Sequence, residues 1–157
     1  MMEISSNDSI SEPKRFSDLL SSLGYDKVRH IFFIDPMGAV RMTRSDVWKT
    51  DPNHKNPKQR QRKAVTKYFA FKNKFTYLCK NANYKLENEL NILFVIPMAD
   101  SWSKKKKQEY LYTKHQQKPD LDNLCKAEMD SFGIDDSAVW KISATKVWGN
   151  QGLIVIL

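Results

Sequence analysis

The run Leu90-Asn-Ile-Leu-Phe-Val-Ile96, closed by Pro97, constrains the fold more than any other stretch of the chain. Six of its seven residues are apolar, and β-branched and aromatic side chains are frequent among them, so it reads as a strongly buried strand. Such a strand needs partners. Ile31-Phe-Phe-Ile34, ended by Asp35-Pro36 and the turn residue Gly38, supplies one, and Val40-Arg-Met-Thr-Arg44 reads as a further extended piece. Two more strands close the chain, at about 139–148 and 153–157. Asp51-Pro-Asn-His-Lys-Asn-Pro57 is a loop, and beyond it residues 58–81 form a long helix. Val65, Tyr68, Phe69, Phe71, Phe75, Leu78 and Cys79 make its apolar side. A further helix covers about 121–132. Near the N-terminus Phe16, Leu19, Leu20 and Leu23 recur at helical spacing, with Gly24 placed to stop the turn. Helices and strands do not alternate as regular βαβ units. The expectation is therefore α+β, one domain with a mixed β-sheet packed with helices. Residues 1–13 are Ser-rich and polar, so residues 1–27 read as a flexible tail and a short amphipathic helix, ahead of a main domain at 28–157.

Composition matters first through what it excludes. No window approaches the apolar length of a bilayer span, and the polar, acidic start lacks the pattern of a secretory signal. Cys79 and Cys125 are too few for a disulfide framework and lie among apolar residues, as buried thiols in a reducing cytoplasm would. The formal net charge of +8 points to an anionic partner, with nucleic acid first. That charge is segregated. Between Lys49 and Lys74 stand nine Lys and Arg against the single acid Asp51, and Lys104, Lys105, Lys106 and Lys107 add a solvated basic run. Acids gather later, at Asp120, Asp122, Glu128, Asp130, Asp135 and Asp136. A basic wall neutralises phosphates, while an acidic knot holds a cation.

The acidic knot has local order. Pro119 biases Lys118 toward extended backbone, and an extended Asp120 would share a face with Asp122. Asp122 is also placed to cap the helix that follows. Within that helix Leu121, Leu124, Cys125, Met129 and Phe132 make an apolar stripe, with Asp122, Lys126 and Asp130 opposite at steps of four. Gly133 suits the helix end. Converging carboxylates repel unless a cation is present, and hard divalent ions take such oxygens. A bound metal would activate water and stabilise the leaving oxygen, with the Lys126 ammonium stabilising charge on the phosphate. A plainer account makes Asp122 and Lys126 a surface ion pair, Asp135-Asp136 turn formers and Asp130 mere solvation.

The stretch KPDLDNLCKAEMDSFGIDDSAV resembles the signature of the RusA-type endodeoxyribonucleases, Holliday junction resolvases of phage and prophage type. Arg41-Met-Thr-Arg44 with Asp46 and Trp48, and Tyr68-Phe-Ala-Phe-Lys72, resemble segments of the phage-type members. The likeness runs from about Ile31 to the C-terminus. It implies a homodimeric α+β nuclease of a bacterial cytoplasm that needs Mg²⁺, or Mn²⁺, and makes paired nicks across a four-way junction in recombination, repair or phage DNA processing. The family's acidic positions fall on Asp120, Asp122 and Asp136 as catalytic residues and metal ligands, and its lysine on Lys126. Asp135 is a further candidate ligand. Only Ser131-Phe-Gly-Ile134 separates helix from acid pair, shorter than in some members, which leaves open which of Asp135 and Asp136 reaches the metal. Arg41, Arg44, Arg60, Arg62, Lys63 and Lys118 are the candidate DNA contacts. A binding module that holds branched or single-stranded DNA without cutting it is the competing reading. A nuclease of wider range, acting on flaps and forks as well, is a third.

Overall fold

Side chains on a strand point alternately to its two faces, and in this chain both faces of the central strand are apolar. The computed structural model describes residues 15–132 and 136–157, so the N-terminal tail read at 1–13, Gly133 and Asp135 lie outside the described residues. Strands β1 (His30–Phe32), β2 (Glu89–Pro97), β3 (Lys141–Gly149) and β4 (Leu153–Ile156) form one sheet of order β1-β4-β2-β3. β2 runs parallel to β3 and antiparallel to β4, which in turn pairs antiparallel with β1, so the sheet is mixed. Ile92, Phe94 and Ile96 of β2 face one layer of helices together with Phe32, Ile154 and Ile156. Leu93 and Val95 face the other way, with Val147, Leu153, Val155 and Leu157.

The first face is covered by α2 (Lys63–Asn81) and α4 (Leu121–Asp130), which contribute Tyr68, Phe71, Phe75, Cys79, Leu124, Cys125 and Ala127 to the core. α1 (Phe16–Ser22) covers the second face with buried Leu19, flanked by Phe16, Leu20 and Leu23. The fold is α+β, as expected. Both cysteines are buried and free, and burial pushes their thiols up, to about 12 for Cys79 and about 11 for Cys125. Among the described residues no helix is long and apolar enough to cross a membrane.

Four elements depart from the sequence expectation. The long helix begins at Lys63 rather than at 58, because Pro57–Gln59 forms a separate 3-10 turn and Arg60 and Arg62 are extended. The Asn56 side chain caps that turn by accepting from the Lys58 amide at 3.0 Å. The piece at 40–44 makes no strand. It leads into a 3-10 turn, Arg44–Val47, where Thr43 and Asp46 form a reciprocal capping box. The basic run becomes a short helix, α3 (Lys104–Tyr110), whose N-cap Ser103 accepts from the Lys106 amide at 3.2 Å. Last, the N-cap of α4 is Asp120, not Asp122, since Leu121 already has helical backbone. The two carboxylates are therefore joined by a helical first turn rather than by a strand.

Candidate active site at the head of the fourth helix

The head of α4 is fixed from three sides. Lys118 and Pro119 lead into Asp120, whose backbone is extended (φ −69°, ψ 146°) as an N-cap requires. From β3, the Lys146 ammonium donates to the carbonyls of Gln117 and Pro119, both at 2.6 Å, and so holds the approach to the helix. From the other side the 36–40 segment lies on the first turn, where the Ala39 amide donates to the Asn123 carbonyl at 2.8 Å. Gly38 permits that approach: a Cβ there would stand 3.1 Å from Cβ of Pro119. Between these walls is a hollow of 530 Å³ lined by Met37, Lys118, Asp120 and Asn123 among others.

Asp120 makes no side-chain capping bond, so its carboxylate faces outward at the mouth of this hollow without a partner among the described residues. Asp122 is exposed, and one of its oxygens accepts from the Asn123 amide at 2.8 Å. Lys126 does not pair with Asp122. Its ammonium donates to Asp130 Oδ1 at 3.1 Å, while the other oxygen of Asp130 accepts from the Tyr68 hydroxyl of α2 at 2.7 Å. Asp130 is thus not mere solvation of the helix: it joins α4 to α2 and holds Lys126. The hydrogen bond and charge of Asp130 raise the Lys126 pKa, with a smaller contribution from Asp136. Burial, and the carboxylate it meets, push the Tyr68 hydroxyl well above its ordinary range.

Asp136 is exposed and opens a 3-10 turn, Asp136–Ala138, near enough to act on the charge of Lys126. Asp120 thus caps the start of α4, Asp122 and Lys126 lie exposed along it, and Asp136 acts on Lys126 from the turn at 136–138. They do not close on a point: among the described residues no three of His, Cys, Asp and Glu stand together as a metal-sized group.

The expected DNA contacts divide in two. Arg41, Arg44, Lys63 and Lys118 are exposed, and Arg60 is exposed with its Nε donating to the His54 carbonyl at 2.6 Å. Arg62 is differently placed. Its guanidinium donates to both oxygens of Asp46, at 2.9 and 2.6 Å, and to the Arg41 carbonyl at 3.0 Å, which makes it a brace between two segments. Three residues escaped the sequence reading: Lys146, Tyr68 as a partner of Asp130, and Glu128. The first two left no local signal, being far away in the chain. Glu128 did leave one, since it falls at helical spacing within the Leu121, Leu124, Cys125 stripe. It is fully buried, neither oxygen has a partner among the described residues, and burial pushes its carboxyl up to about 8.

A mixed sheet with an acid-headed helix, matched by the family model described as Endodeoxyribonuclease RusA over residues 47–157, defines the class: an endodeoxyribonuclease, a hydrolase of the DNA backbone. The chain belongs to the RusA family, and the match takes in the whole of α4, Asp136 and β3. It begins later than Ile31, so Arg41 and Arg44 precede it. No curated protein and no solved structure matches the chain.

Proposed function

We propose that the protein is a Mg²⁺-dependent resolvase that nicks four-way DNA junctions in pairs, with its chemistry at the head of α4. The observation that carries this reading is the arrangement on one helix: two outward carboxylates at its head, and one turn on a lysine held by a buried-side tether, Asp130 and Tyr68. Asp120, Asp122 and Asp136 would hold the cation, with Asp135 as a further ligand. The donor set fits a hard ion, since all are carboxylates and the Asp120 oxygens are uncommitted among the described residues. When bound, such an ion supplies Lewis acidity and lowers the pKa of water to a useful range.

The chain's own groups then have distinct tasks. Lys126, protonated at neutral pH and held by Asp130, offsets negative charge that develops on the phosphate as water attacks and the P–O bond breaks. Lys146 fixes the backbone that carries Asp120. Arg41, Arg44, Arg60, Lys63 and Lys118 take neighbouring phosphates, while Arg62 keeps their loop in shape. A homodimer suits the two-fold symmetry of a junction, and a DNA-processing role in a bacterial cytoplasm, encoded by phage or prophage, suits the family. The binding-only reading draws on one observation, that no three described ligands form a metal-sized group.

A four-way junction incubated with the protein and Mg²⁺ separates the two. Symmetric nicks that vanish with EDTA are the expected result. A junction that is retarded in a gel yet stays whole with both Mg²⁺ and Mn²⁺ overturns the nuclease reading.

A further inference from the structure

A tryptophan ring buries a large apolar area and seldom stays in water without a reason. Trp48 is 85 % exposed. Two of the other tryptophans behave conventionally: Trp148 is buried and Trp102 packs on it with ring centroids 4.9 Å apart. Nor is the exposure of Trp48 a matter of slack chain. Two residues earlier the Asp46 carboxylate is buried and receives four hydrogen bonds: from Nε and Nη2 of Arg62, and from the amide and hydroxyl of Thr43 at 2.7 and 2.8 Å. The Trp48 amide itself donates to the Ser45 carbonyl at 3.3 Å. The ring is held out by a pinned turn.

The stretch of chain that carries it is rich in cations. Beside it lies a hollow of 310 Å³ lined by Trp48, Lys49, Thr50, Asp51, His54 and Gln59. Arg44, Lys55, Lys58, Arg60 and Lys63 belong to the same stretch of chain. The acids against them are Asp46, already neutralised by Arg62, and Asp51. Trp140 gives the contrast. It is 73 % exposed, but its neighbour Lys141 is paired with Glu89, and no basic run adjoins it in the sequence. A second copy of this chain is a poor occupant for the Trp48 surface. Interface centres exclude charge, and a two-fold contact would set these cations against one another.

We propose that Trp48 is a stacking platform for an unpaired base of a DNA substrate, with the flanking cations gripping the phosphates on either side. The inference rests on DNA being the partner and names which part of it is recognised. Duplex bases hide their π-faces in the stack, whereas a branch point or a single strand presents them, and an aromatic face with cationic flanks accepts any base.

The full-length protein in EDTA, titrated with a labelled four-way junction, oligothymidylate and linear duplex, tests this. Trp48→Ala should weaken junction and oligothymidylate binding about ten-fold, and Trp48→Phe about two-fold, with duplex affinity changed less than two-fold. Oligothymidylate should quench wild-type tryptophan emission, and most of that quench should be lost in Trp48→Phe. Unchanged junction affinity in Trp48→Ala overturns the proposal. So does an equal loss on duplex, or a change in sedimenting mass, which would place Trp48 at an interface between copies. A parallel digest with Mg²⁺ keeps the two readings apart, because failure to cut a junction refutes the nuclease while the quench still reports stacking.

Discussion

Asp46 and Glu128 are both carboxylates removed from water, and the protein treats them in opposite ways. Asp46 sits in the 41–48 loop with four donors on its two oxygens, and the Arg62 hydrogen bond leads the effects that hold its pKa far below the usual carboxylate range. Glu128 sits on the core side of α4 among Cys79, Tyr84 and Cys125, with no donor on either oxygen among the described residues. There burial alone acts, and the acid is pushed up to about 8. The lesson concerns partners rather than burial. A buried charge with a full set of donors becomes a brace, here for the loop that carries Trp48. A buried acid without donors stays neutral and costs stability once it must ionise.

The two groups give opposite slopes of stability against pH, and the larger predicted effect on stability comes from Glu128. Its proton is held more tightly in the folded chain than in the unfolded one, whose ordinary value is 4.5. Stability therefore falls as pH rises from 4.5 to about 8 and levels off above that. At about 1.4 kcal/mol per pH unit, the wild type should lose roughly 3 kcal/mol between pH 5 and pH 7. Urea unfolding of Glu128→Gln over the same interval should be nearly flat by comparison, and parallel slopes for the two proteins would break the comparison. Asp46 works in reverse. Its stabilisation is present above its unfolded value of 3.8 and is lost as pH falls below it, so Asp46→Asn should blunt the acid limb of the same profile.

Asp130 sharpens the contrast, because it lies one turn from Lys126 and only two residues from Glu128, yet has partners on both oxygens. Asp130→Asn should slow junction cutting about ten-fold, as loss of an orienting carboxylate commonly does. It should also move the alkaline limb of the rate profile to lower pH, since Asp130 is the main cause of the raised Lys126 pKa. A slower enzyme with an unmoved limb would make Asp130 structural only. Tyr68→Phe removes one hydrogen bond to the same carboxylate, and about a three-fold loss is expected in the same assay. Lys146→Met should be the mildest, about two-fold, seen as a weaker dependence of rate on the order around Asp120.

These pairings also mark where sequence reasoning stops. The buried strand at 90–96, the apolar side of α2 apart from the exposed Phe69, the stripe of α4 and the last two strands were legible because periodicity and burial are local properties of a segment. The series Asp122, Lys126 and Asp130 at steps of four was legible for the same reason. The Arg62–Asp46 brace spans sixteen positions and the Tyr68–Asp130 bond sixty-two, so no local pattern encodes them. α3 was read as a solvated charge run because four lysines conceal the Ser103 cap and the contact of Lys106 over the Trp102 ring.

The central claim is that the exposed head of α4, not its buried side, performs the chemistry. Its most direct test is single-turnover cleavage of a four-way junction in Mg²⁺ by the wild type, Asp122→Asn and Glu128→Gln at pH 7, with junction binding measured in parallel. Asp122→Asn should bind the junction as before and cut roughly a thousand-fold more slowly, while Glu128→Gln cuts at about the wild-type rate. Cutting by Asp122→Asn at the wild-type rate would contradict the account.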